Sequence, residues 1–95
     1  MGKLEGKVAV ITGGGSGIGL ATAKRFIDDG AIVYLFGRRI DVLENAVQQL
    51  GPNARAIPGD VTRQEDLDHL YAQVEKEHGQ IDILFANAGL GDLAA

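Results

Sequence analysis

Four short apolar runs alternate with three amphipathic stretches along this chain. The runs cover residues 7–12, 32–36, 54–59 and 81–86. The first two are continuous and rich in β-branched residues, the pattern of strands buried on both faces. Tyr34 and Phe36 in the second run are accordingly core residues, not a stacking pair. Pro58 interrupts the third run and cannot donate to a ladder, which places that strand at a sheet edge. Between the runs the apolar positions return at helical spacing. Ile18, Thr22, Ala23, Phe26 and Ile27 share one face of a helix over 18–29, with Lys24, Arg25 and Asp28 opposite and Gly30 at its end. Ile40, Leu43, Ala46, Val47 and Leu50 line a second helix over 40–50, stopped by Gly51, Pro52 and Asn53. Thr62 and Glu65 have the spacing of a capping box, so a third helix should begin immediately after Thr62. Leu67, Leu70, Tyr71 and Val74 form its buried stripe. His78 lies on that side near the helix end, where an imidazole complements the dipole or packs, and Gly79 closes the helix. Residues 90–95 carry no clear pattern.

Strand–helix alternation implies parallel pairing with right-handed crossovers, hence an α/β sheet. The doubly wound order is 3-2-1-4, with a crevice where the order reverses between the first and fourth strands. Five glycines fall within the seven residues 13–19, between the first strand and the first helix. Glycine there supplies backbone angles forbidden to other residues and lets a ligand approach closely. A helix starting near Ser16 or Gly17 aims its free N–H groups and positive dipole end at the turn, which suits pyrophosphate. The P-loop pattern fails, because Leu20 and Ala21 stand where Lys and a hydroxyl are required. The G-x-G-x-x-G fingerprint fails too, since it ends on Ile18 or Leu20. T-G-x-x-x-G-x-G fits, through Thr12, Gly13, Gly17 and Gly19. Asn87, Ala88 and Gly89 follow the fourth strand, so two separate sequence features meet at one crevice.

Composition narrows the function classes. The 95 residues make one compact unit, below the usual size of a complete domain, with 45% hydrophobic and 23% charged residues. A net charge of −4 offers no basic field for nucleic acid or an anionic membrane. There is no cysteine, and the two histidines, His69 and His78, lack a clustered partner set, so a metal site is not expected. No run is long enough for a membrane span and no signal-peptide core is present, which makes the cytoplasm the expected location.

On the glycine loop, on Asp60-Val61 and on Ala86-Asn87-Ala88-Gly89, the chain resembles the short-chain dehydrogenase/reductase family over residues 5–91. The resemblance implies a Rossmann-type doubly wound sheet, incomplete here, in which residues 1–95 are the nucleotide-binding part of a larger domain. It implies that a nicotinamide dinucleotide is held at Gly13, Gly15, Ser16, Gly17, Ile18 and Gly19. Adenine is received by Asp60 and Val61, and Asn87, Ala88 and Gly89 line the crevice. The family has N-N-A-G after its fourth strand, and Ala86 replaces the first asparagine, removing one hydrogen bond.

An NAD site typically ends its second strand in an acid that holds the ribose hydroxyls. Here Gly37 stands there, followed by Arg38 and Arg39, and a guanidinium binds a 2′-phosphate bidentately. NADP(H) is therefore favoured over NAD(H). The family's catalytic serine and Tyr-x-x-x-Lys pair have no match: Tyr34 leads to Arg38, Tyr71 to Glu75, and the only serine, Ser16, sits in the glycine loop. No catalytic residue is assigned, and the segment alone should not turn over substrate. Two functions stay open: an oxidoreductase moving hydride between the dinucleotide and an alcohol or carbonyl substrate, or a non-catalytic dinucleotide-binding or sensing module. The family commonly forms dimers or tetramers, so a homo-oligomer is expected. Taken alone, the fourth strand's outer edge invites strand addition, so the isolated segment is expected to self-associate or be marginally stable.

Overall fold

The computed structural model describes residues 2–13 and 17–86. Its elements run β1 (Val8–Thr12), α1 (Gly17–Asp28), β2 (Ile32–Gly37), α2 (Ile40–Leu50), β3 (Ala54–Pro58), α3 (Gln64–His78) and β4 (Ile83–Ala86). The four strands form one parallel sheet in the order β3-β2-β1-β4, as the alternation predicts. Pro58 indeed lies on an edge strand.

Alternating side chains of the two central strands feed two cores. Ala9 and Ile11 of β1 and Val33 and Leu35 of β2 face α1 and α2, where they meet Ala23, Leu43 and Ala46. Val8, Val10, Tyr34 and Phe36 point the other way and join Ile57, Leu70 and Val74 beneath α3. All eight strand residues are buried, which explains why these runs are continuously apolar. Tyr34 and Phe36 are core residues, as expected. The Tyr34 hydroxyl donates to the Glu77 carboxylate, and His78 packs edge-on against the Tyr34 ring with centroids 5.7 Å apart.

Several boundaries and faces differ from the sequence expectation. Ile18, assigned to the inner face of α1, is 67% exposed; it falls in the first turn of the helix, outside the core cluster. Ile40 likewise opens α2 and is partly exposed. Tyr71 lies on the flank of α3, where the sheet contacts are made by Leu70 and Val74. The fourth strand starts at Ile83 because Asp82 is used otherwise: its carboxylate accepts the Val8 N–H at 2.8 Å while its own N–H donates to the Val8 carbonyl. Leu84 pairs in register with Val10 on the α3 face yet is 53% exposed, since α3 covers β1 to β3 only. No helix among the described residues is long and apolar enough to cross a membrane.

Candidate dinucleotide site

Parallel pairing brings the C-terminal ends of all four strands to one edge. Thr12 is in register with Phe36 on one side and Ala86 on the other, and Gly37 is in register with Pro58. The turns that leave β1, β2 and β3 therefore sit side by side.

At the end of β1, the Gly13 N–H donates to the Phe36 carbonyl at 2.8 Å, tying the turn to β2. Gly13 and Gly17 have φ of 69° and 59°, the left-handed region where glycine is strongly favoured. A Cβ at Gly17 would meet nothing within 4 Å among the described residues, which leave open room over the start of α1. The first turn of α1 carries no acidic residue, leaving its positive end without a competing carboxylate. Gly19 is buried and Ile18 exposed beside it. Gly15 and Ser16 lie outside the described residues, as do Asn87, Ala88 and Gly89; the chain leads to the latter from Ala86, beside Thr12.

At the end of β2, Arg38 and Arg39 are both exposed. Arg39 approaches Asp41 at 3.9 Å, with both side chains 76% exposed, a geometry of little energetic weight. Arg38 forms no ion pair among the described residues and acts on Asp60 through its charge alone. It is the arginine available to an incoming anion.

At the end of β3 the chain is locked. The Gly59 N–H donates to the Gly37 carbonyl at 2.7 Å, and a Cβ on Gly59 would fall 2.4 Å from the Phe36 ring. The Asp60 N–H donates to Asp66 Oδ2 at 2.8 Å. Asp60 Oδ1 accepts both the Thr62 N–H, at 2.9 Å, and the Thr62 hydroxyl, at 2.7 Å. These bonds, the backbone one foremost, together with the charges of Arg38 and Arg63, hold the Asp60 carboxyl below the usual carboxylate range. Val61 is partly buried against the α3-side core.

The capping box is not formed. Arg63 occupies the N-cap position of α3 without a side-chain cap, and the helix begins at Gln64. Thr62 turns its hydroxyl back to Asp60, two residues earlier, and Glu65 binds Arg63 at 2.5 Å. Because the helix starts one residue later than the box requires, Thr62 stands outside the N-cap position, and its N–H and hydroxyl donate to Asp60 in an Asx-type turn.

Residues 7–95 match the family model for short chain dehydrogenases. The chain is 57% identical to the oxidoreductase asL5 of Sarocladium schorii over 89 residues, covering 94% of this chain and 36% of that protein. It superposes on the crystal structure of a short chain dehydrogenase from Bacillus anthracis with a TM-score of 0.85 and 34% identity, covering 88% of this chain and 35% of that one. A 3-ketoacyl-(acyl-carrier-protein) reductase from Brucella melitensis, solved in complex with NADH, gives 0.82 and 39%, covering 86% and 34%. The chain belongs to the short-chain dehydrogenase family. It spans about a third of the length of these family members.

The family binds nicotinamide dinucleotides, and the residues described here fit one. Left-handed glycines, open room above Gly17 and an acid-free helix start can take a diphosphate; an unpaired arginine and an oriented carboxylate flank it. Sequence reasoning found Asp60 but missed the residues that hold it, Thr62 and Asp66. The signal was present in the D-x-T spacing, which competes with the capping box for the same threonine.

Proposed function

We propose that residues 1–95 supply the dinucleotide-binding portion of an oxidoreductase that moves hydride between NADP(H) and an alcohol or carbonyl substrate. The observation that carries this reading is the left-handed backbone of Gly13 and Gly17, which lead from the end of β1 beside β4 into the start of α1. The Brucella reductase, which holds NADH, supports a nicotinamide dinucleotide on this scaffold. When bound, that group supplies or accepts the hydride.

In this reading, Gly13 to Gly19 with the first turn of α1 bind the diphosphate, and Asp60 and Val61 receive adenine. Asn87, Ala88 and Gly89 border the nicotinamide side. The preference for the phosphorylated form rests on Gly37 in place of an acid and on Arg38, which no carboxylate neutralises by direct contact among the described residues.

Equilibrium titration with NADPH and NADH, followed by nicotinamide fluorescence, tests it. Arg38→Ala should weaken NADPH by about 10- to 150-fold, the worth of a charge-assisted bond, and leave NADH nearly unchanged. Equal losses for both would remove the NADP(H) assignment, and binding of neither to the unaltered chain would remove the whole reading.

A further inference from the structure

The Asp60 carboxylate has two oxygens in different situations. Oδ1 accepts two hydrogen bonds, both from Thr62, whereas Oδ2 accepts none from the described residues. The backbone of Asp60 is fixed independently, by Asp66 Oδ2 on its N–H and by the Gly59 N–H on the Gly37 carbonyl. With the main chain held, χ rotation is the one freedom left to the carboxylate, and Thr62 removes it. The threonine does not cap α3, whose N-cap position is held by Arg63 without a side-chain cap bond. An N-cap threonine contributes about 1 kcal/mol to a helix. The helix thus starts without that contact, and the threonine aims an exposed carboxylate.

We propose that Thr62 is a positioning residue: by gripping Oδ1 of Asp60 it presents Oδ2 to the exocyclic amine of a bound adenine, and so sets base selectivity. This rests on the dinucleotide reading above. An amine donates to a carboxylate, while a carbonyl oxygen at the same place confronts it with a second acceptor. A fixed carboxylate discriminates between the two. One free to rotate relaxes away from the oxygen and discriminates less.

The test compares NADPH with its reduced hypoxanthine analogue, in which the amine is replaced by oxygen, binding to the unaltered chain, Thr62→Val and Thr62→Ser. The unaltered chain should favour NADPH by about tenfold. Thr62→Val removes the hydroxyl bond and leaves the N–H one, so the carboxylate can swing about a single contact; it should cut that ratio by about threefold, chiefly by weakening NADPH, and Thr62→Ser should restore it. A ratio unchanged in Thr62→Val overturns the proposal. So does a parallel loss for both dinucleotides with a lowered melting temperature, which marks a merely structural threonine. If the unaltered chain binds NADPH without preferring it, the positioning role falls and the dinucleotide reading stands; if it binds neither, both fall.

Discussion

The turns leaving β1 and β3 are anchored alike and built differently. Each is pinned to the end of β2 by a glycine N–H, Gly13 to the Phe36 carbonyl and Gly59 to the next carbonyl, that of Gly37. On either side of the first turn the described residues, Gly13 and Gly17, offer backbone alone. Both take left-handed angles, and no described residue fills the space above Gly17. The third turn is side chain. Gly59 is wedged against Phe36, Asp66 holds the Asp60 amide and Thr62 holds its carboxylate. Glycine therefore serves opposite ends in the two places: at Gly17 it keeps room for something else, and at Gly59 it lets the protein fill its own room. Backbone suits a diphosphate, whose charge is diffuse and whose recognition needs several N–H groups. A base edge needs one directed acceptor, which a side chain supplies.

That contrast can be broken most directly by adding one methyl group to each turn. Gly59→Ala places a Cβ 2.4 Å from a fully buried ring, with Asp66 Cβ 3.2 Å away on another side. The cost should reach the upper end of the roughly 1–3 kcal/mol that overpacking carries, a melting-point drop of about 4–8 °C per kcal/mol. Gly17→Ala meets no atom of the described residues within 4 Å and bears the left-handed strain, roughly 1–2 kcal/mol. In binding the order should reverse. The Gly17 methyl enters the space assigned to the diphosphate and should weaken NADPH by about tenfold or more, beyond any loss caused by Gly59→Ala in chains still folded. Melting curves and nicotinamide fluorescence on the same two variants check both halves. A larger melting loss for Gly17→Ala would erase the distinction.

The same contrast explains what the sequence revealed. Strand order was legible because Val8 to Ile11 and Val33 to Phe36 are apolar on both faces, which only a covered parallel sheet requires. The first turn was legible because glycine spacing is a backbone requirement and backbone requirements are local. The third turn was half legible. Asp60 stood out at a strand end, but Thr62 had two partners within reach in sequence, Glu65 ahead and Asp60 behind, and spacing alone favoured the helix cap. Tyr71 and Ile18 were misplaced for a related reason. Period assigns a residue to a face, whereas exposure depends on where the core ends: Ile18 lies in the first turn of α1 and Tyr71 on the flank of α3, where Leu70 and Val74 make the sheet contacts.

The smallest effect separates the turns by proton rather than by volume. Gly13 and Gly17 have no titratable side chain, while Asp60 has a carboxyl held below its ordinary range by the Thr62 N–H and hydroxyl and by nearby arginine charge. A folded-state value below the unfolded one, near 3.9, means that the unfolded chain binds more protons in acid. Stability from Asp60 is therefore fully present above about pH 4 and is lost as pH falls through the lower folded value. Asp60→Asn has no such proton to gain. Its urea midpoint should lie below that of the unaltered chain at pH 6, and the gap should close as the pH falls below about 4 and through the lower folded value. Gly17→Ala, whose cost is steric, should keep a constant gap over the same range. Asp82 is also depressed, by its bond from the Val8 N–H, so the acid limb of both variants still bends; only the difference between them isolates the third turn. An Asp60→Asn gap that stays constant with pH would show that the carboxylate's charge has no part in holding the β3–α3 turn.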